Sequence, residues 1–359
     1  MELGSGFNHL LTYMDERIRQ ALRGVPDKES IQEIRLRSGK PLAVGRFGQE
    51  YFVSENGALS QSPAAGLHID RMQLESVFKA VCAYSIHSFQ REITHGYITL
   101  EGGHRVGLCG TAVSKDSHTE TVKYISGMNF RIAHQIHGSA DAVMTPHFSE
   151  QPESMLIAGA PSSGKTTVLR DLCRQLGQTH KLTIVDERGE IAAVYQGVPQ
   201  NDVGPHTDVL DGYSKESGIL TAIRVLSPEI VAVDEIGSSS DCAAIENSLH
   251  AGVKVIATVH AGSLQEVYAR RFVRSLLRQG AFQSILLLGT GQQVGKIIHK
   301  IEVNNHAQSN RYLYDTIDHD HSGHPIFKKT DGEGHVAGSN PFNAGRTLYS
   351  DTIPSLNRL

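Results

Sequence analysis

Met155-Leu-Ile-Ala-Gly-Ala-Pro-Ser-Ser-Gly-Lys-Thr-Thr167 decides the fold class of this chain. It holds the pattern G-x-x-x-x-G-K-[ST] at Gly159, Gly164, Lys165 and Thr166. An apolar, strand-like run (Met155 to Ala158) leads in, and residues at helical spacing (Thr167, Val168, Leu169, Leu172, Leu176) lead out, which is the context a phosphate loop requires. Backbone N–H groups of such a loop and of the helix start point at phosphate oxygens, where unpaired donors and the helix dipole both favour negative charge. The candidate nucleotide-binding set is therefore Gly159, Ala160, Pro161, Ser162, Ser163, Gly164, Lys165, Thr166 and Thr167. Lys165 adds a mobile cation, and the Thr166 hydroxyl is placed to ligate Mg²⁺.

Working outward, three more apolar runs end in polar residues: Leu182 to Asp186, Ile230 to Asp234 and Lys254 to Val259, separated by amphipathic stretches. This alternation predicts an α/β domain with a mainly parallel sheet, whose ligands sit at the carboxyl ends of the strands. Ile230-Val-Ala-Val-Asp-Glu-Ile236 has the form of a Walker B strand. Asp234 is assigned to Mg²⁺ with Thr166, and Glu235 to orienting the attacking water. Asp186, Glu187 and Glu190 end an earlier strand, and Glu187 is a candidate to assist catalysis. Thr258 and His260 end a third strand and are candidates to sense the terminal phosphate by hydrogen bonding. Phosphoryl transfer to water needs a held metal, a water-positioning carboxylate and a cation for developing charge, and each has a candidate here.

The 359 residues carry a formal net charge of −4 and allow two domains. The charge gives no global signal for nucleic-acid binding. Cys82, Cys109, Cys173 and Cys242 are far apart with no C-x-x-C pair, so neither a disulfide framework nor a zinc site is indicated, and a reducing compartment fits. No apolar run approaches the ~18–20 residues that span a bilayer. A cytoplasmic placement is expected, with any membrane contact peripheral, at the inner face.

Residues 1–148 read as a smaller mixed α+β domain. A single surface helix is expected over His9–Leu22, small antiparallel strands over Ile31–Val53, a helix over Asp70–Tyr84, and a hairpin over Gly96–Leu108 turning at Gly102-Gly103. Pro146 to Glu153 is polar and reads as a linker into the nucleotide-binding domain, taken as residues 149–303. Residues 304–359, rich in His, Asp and Gly with little periodicity, read as a loose extension, and its Asp318-His-Asp-His321 and His324 are a minor metal candidate beside a solvated tail.

The phosphate loop, Asp186-Glu-Arg-Gly-Glu190, Arg224-Val-Leu-Ser-Pro-Glu229 running into Asp234-Glu-Ile-Gly237, and Thr258-Val-His-Ala261 resemble the four ordered boxes of the type II/type IV secretion ATPase superfamily. Glu33-Ile-Arg-Leu-Arg37, Gly102-Gly-His-Arg-Val-Gly107 and Gly127-Met-Asn-Phe-Arg-Ile132 narrow the resemblance to the stage III sporulation protein AA family within it. The similarity covers roughly residues 10–300. It implies a RecA-like P-loop ATPase that uses ATP and Mg²⁺ and works as a homo-oligomeric ring, usually a hexamer, with nucleotide between the two domains. It further implies membrane-embedded partner proteins of a secretion-like complex, at the channel between mother cell and forespore. Arg105 and Arg131 match the N-terminal arginines that reach the phosphates in relatives. Many secretion ATPases carry Gly where this chain has Asp234, which strengthens the metal assignment. Two other readings compete. A RecA-like nucleic-acid motor would need a basic lining, for which Arg270, Arg271, Arg274 and Arg278 are the best cluster, although a solvated or ring-interface helix face explains them equally well. A nucleotide-gated assembly factor would not need the water-positioning Glu235.

Overall fold

The computed structural model describes residues 5–115, 118–303, 314–319 and 325–330. The N-terminal part is built on a seven-stranded antiparallel sheet, in the order Leu59–Ser60, Gln49–Val53, Ala43–Arg46, Ile31–Arg37, His118–Arg131, Arg105–Lys115, Tyr97–Thr99. Alternation explains the central strand, since Ile34 and Leu36 are fully buried while Glu33, Arg35 and Arg37 are not. Helix Arg71–Val81 covers the core with Leu74 and Val77. Its start is fixed by a capping box in which Asp70 accepts the Gln73 N–H at 2.8 Å and Gln73 accepts the Asp70 N–H at 3.0 Å, an arrangement that stabilises a helix by about 1 kcal/mol. Tyr97–Thr99 and Arg105–Lys115 form the expected hairpin around Gly102 and Gly103, both of which take positive φ.

The second sheet has nine strands, in the order Thr207–Asp211, Leu182–Asp186, Ile230–Val233, Lys254–His260, Met155–Gly159, Ser284–Leu288, Ile297–Glu302, Tyr314–His319, Pro325–Thr330. The first six run parallel and the last three join antiparallel. Every residue of Met155–Gly159, Ile230–Val233 and Ser284–Leu288 is buried, as strands covered on both faces require. The fold is thus a RecA-like α/β unit preceded by a smaller antiparallel α+β unit. Register brings the chemistry together: Gly159 pairs with His260 and Val233 with Ala257, so Asp234 emerges beside Thr258.

Three expectations are corrected. His9–Leu22 is not one surface helix: Ser5–Leu10 and Glu16–Arg23 are separate, because Met14 is extended and Asp15 caps the second helix through the Arg17 N–H. Leu10, Leu11, Met14, Ile18 and Leu22 are moreover buried. Pro146–Glu150 is a short helix rather than open linker; Thr145 caps it, Pro146 suits its first turn, and Phe148 is buried against the parallel sheet. Beyond residue 303 the strands Tyr314–His319 and Pro325–Thr330 extend the sheet, held by pairing such as His299 with Thr316. Backbone pairing at a sheet edge leaves little trace in hydrophobic periodicity, which is why the segment read as featureless. Of the metal candidate in this segment, Asp320, His321 and His324 lie outside the described residues. Among the described residues, no group of three or more His, Cys, Asp or Glu side chains is placed to hold a metal.

Candidate functional site

The loop between Gly159 and the helix Lys165–Leu176 turns through Ser162 and Gly164, both at positive φ. Gly159 is closely packed: a Cβ there would lie 2.2 Å from Ser163 Oγ and 3.2 Å from Leu288 Cβ, so Ser163 in the loop would have to shift. Among the described residues, the N–H groups of Gly164, Lys165, Thr166 and Thr167 make no backbone hydrogen bond. Four free donors at the start of a 12-residue helix form an anion cradle.

Lys165 folds back over this cradle. Its Nζ donates to the carbonyls of Gly159 at 3.1 Å and Ala160 at 2.9 Å, and to His260 Nδ1 at 3.0 Å. Burial pushes its pKa down, and the charges of Asp234 and Glu235 oppose that shift. Since Nδ1 accepts from an ammonium, the His260 proton sits on Nε2, 3.1 Å from Glu235 Oε1. Lys165, His260 and Glu235 therefore form a continuous polar chain.

Across the loop, Thr166 donates to Asp234 Oδ2 at 3.0 Å. The other Asp234 oxygen accepts from the hydroxyl of Thr258, which in turn accepts the Glu235 N–H at 2.7 Å. Thr258 is fully buried. A hydroxyl with no exposure does not reach a nucleotide, so the expected sensing role is corrected: Thr258 braces both acids from beneath. Glu235 needs that brace, because its backbone has φ 48, a left-handed conformation costing about 1–3 kcal/mol in a non-glycine residue. The donor set at Thr166 and Asp234, all oxygen and at the mouth of the cradle, fits a hard divalent cation such as Mg²⁺.

The acids after Leu182–Asp186 divide differently from the sequence reading. Asp186 is buried, and its carboxylate accepts the N–H groups of Glu190, Ile191 and Ala192 at 2.8, 3.0 and 2.8 Å. Burial raises its pKa although those N–H groups act against the rise. It is an anchor for the turn that follows, not a free ligand. Glu187 pairs with Lys215, and it shares a small cleft with Arg188, Glu190, Asp234 and Glu235. Glu190 is at the wall of the phosphate-loop cleft and binds Arg105 at 3.2 Å. The Arg105 guanidinium also stacks on Tyr97, 3.6 Å from the ring centroid. Arg105 is thus tied to the cleft edge from the other domain. Arg131 is exposed, and among the described residues it makes no hydrogen bond or ion pair to the loop; it faces Glu33, where burial disfavours the carboxylate but hydrogen bonds from Asn129 and Arg35, with smaller help from the Arg35 and Arg131 charges, lower the pKa overall.

Two contributors escaped sequence reading. Arg170, one helical turn after Thr166, donates to the carbonyls of Glu190 at 2.7 Å and His134 at 3.3 Å, tying the phosphate-loop helix to the Asp186 turn and to the segment joining the domains. The i, i+4 spacing from Thr166 was the available signal. The second is the glycine-rich connection Gly289-Thr-Gly-Gln-Gln-Val-Gly-Lys296, where Gly295 N–H donates to Ser163 O at 2.9 Å. Its glycine spacing marked a turn but not its position over the loop.

The sequence profile of the family described as Sporulation stage III, protein AA matches residues 7–305. Stage III sporulation protein AA of Bacillus subtilis is 34% identical over 298 residues, covering 81% of this chain and 93% of that protein. Among solved structures, the ATPase DotB of Legionella pneumophila covers 84% of this chain and 76% of its own at 12% identity and a TM-score of 0.44. The pilus retraction motor PilT with bound ADP covers 87% of this chain and 80% of its own at 15% identity and a TM-score of 0.46. Among the described residues, no helix is long and apolar enough to cross a membrane.

Proposed function

The chain belongs to the sporulation stage III protein AA family, and from that premise we propose that it is a Mg²⁺-dependent ATP hydrolase working as a secretion-type motor on a membrane-associated complex in sporulation. The complex is the mother cell to forespore channel, and the motor is a hexameric ring peripheral to the cytoplasmic face of the membrane. The observation that carries the reading is the brace at Thr258: one buried hydroxyl holds Asp234, itself bonded to Thr166, and the backbone of Glu235 in one rigid unit beside the anion cradle.

The free N–H groups of Gly164 to Thr167 bind the phosphates, and Lys165 supplies the cation. Its two carbonyl partners are neutral, so a phosphate oxygen outcompetes them. Thr166 and Asp234 hold Mg²⁺, which when bound neutralises charge on the phosphate oxygens. Glu235 orients the attacking water and accepts its proton, while His260 Nε2–H fixes the carboxylate. Arg105, released from Glu190, supplies positive charge at the domain junction; Arg131 and Glu187 are assisting groups one step further out. The paired Asp234-Glu235 argues against a pure binding switch, which needs no water-positioning carboxylate.

Lys165→Ala tests the reading. Turnover of ATP by the purified full chain should fall to background, and near wild-type turnover by that variant removes the assignment.

A further inference from the structure

The phosphate-loop cleft is lined by Ser162, Gly164 to Thr167, Glu190, Asp234, Glu235, His260 and Val294. Every side chain in that wall is polar or charged except one. Val294 is 51% exposed, although an apolar side chain of its size gains from being covered. It is carried on the connection between the strands Ser284–Leu288 and Ile297–Glu302, which bends at Gly291 and Gly295, both at positive φ. That connection is seated on the phosphate loop itself. Gly295 donates to Ser163 O, and a Cβ on Gly164 would lie 3.0 Å from Gly295 Cα.

We propose that Val294, held against the phosphate loop by Gly295, is the nucleobase-contacting wall of the site and a determinant of its preference for a complete nucleotide over bare phosphates. The inference rests on the nucleotide reading given above. Its chemistry is complementarity by elimination within one cleft. The cradle N–H groups, Lys165, Thr166 and Asp234 suit phosphates and a hard cation, whereas the planar base is the part of a nucleotide that gains from an apolar surface. The glycines let the backbone of this connection approach the phosphate loop closely, so base and phosphate contacts are set at a fixed separation.

Equilibrium binding of Mg·ATP and of inorganic tripolyphosphate with Mg²⁺, to the full chain and to Val294→Ser, tests this. Val294 is half exposed and packs into no core cluster, so the variant should fold, and its tripolyphosphate affinity reports that directly. The expected result is ATP binding weakened about tenfold, as for lost apolar contact in a binding pocket, with tripolyphosphate affinity unchanged. Equal weakening of both ligands overturns the proposal, because the connection then only supports the cradle. Unchanged affinity for both also overturns it. Failure of the wild-type chain to bind either ligand is a different result, which removes the nucleotide reading and this inference with it.

Discussion

Replacing Thr258 by Val keeps the volume and shape of the side chain and deletes only the hydroxyl, so no cavity term enters. Two bonds are lost: the one accepted from the Glu235 N–H at 2.7 Å and the one donated to Asp234. An unsatisfied N–H costs about 1–3 kcal/mol and a hydrogen bond to a charged group contributes about 1.5–3 kcal/mol. Asp234 and Glu235 are only partly buried, so water compensates in part and the lower ends apply. The sum is about 2–3 kcal/mol of stability, measurable by chemical denaturation. Turnover should suffer more than nucleotide binding, because Glu235 is released from its left-handed conformation while the loop donors are untouched. Thr258→Ser supplies the control: it keeps the hydroxyl and loses one methyl, so it should retain far more turnover than Thr258→Val even if its stability also falls. Equal turnover in the two variants, or a Val variant within about 0.5 kcal/mol of wild type, would refute the brace.

Two other outcomes follow from the same structure. His180 bridges the short helix Pro146–Glu150 to the parallel sheet by contacts to Ser149 O at 2.7 Å and Glu229 at 2.9 Å. Burial disfavours its cation, but the Ser149 carbonyl and the Glu229 carboxylate outweigh this and its pKa is raised above 6.5. Glu229 is lowered from 4.5, mainly by His180. The His180 contribution is full below 6.5 and fades as pH rises through its raised folded value, and the Glu229 contribution is full above 4.5 and fades as pH falls through its lowered one. Glu229→Gln should therefore lose stability chiefly between about pH 4.5 and 6.5 and converge on wild type at alkaline pH, by less than about 1 kcal/mol since the carboxylate is half exposed; a loss that keeps growing from about pH 6.5 into the alkaline range contradicts this. The proposed ring predicts a roughly sixfold rise in molar mass over the monomer by light scattering with ATP, and full turnover from a strictly monomeric chain would contradict it.

How much of this was readable in the sequence depends on the range of the interactions. The phosphate loop is a local backbone device, so Gly159, Gly164, Lys165 and Thr166 announce it, and the apolar runs ending in Asp234 and His260 locate the strand ends. Whether neighbouring acids are ligands or anchors is decided by what the following backbone does. Asp186, Glu187 and Glu190 read alike as acids at a strand end, but the turn at Glu190 to Ala192 occupies the Asp186 oxygens. Thr258 read as a sensor because burial is not a property of one position. Arg105 and Arg131 are directly paired on neighbouring strands, yet only Arg105 meets Glu190, a contact between residues 85 apart in sequence. The break at Met14 and Asp15 was legible in principle, since Asp is a strong helix start, but the apolar spacing on either side outweighed it.

The central claim is that Glu235 acts on water at a nucleotide held by the loop. Its most direct test is phosphate release from Mg·ATP by the full chain and by Glu235→Gln, with nucleotide binding measured in parallel. The account predicts that the variant binds ATP as tightly as wild type while hydrolysis falls by about 10²-fold or more. A Glu235→Gln protein that hydrolyses ATP at the wild-type rate would contradict it.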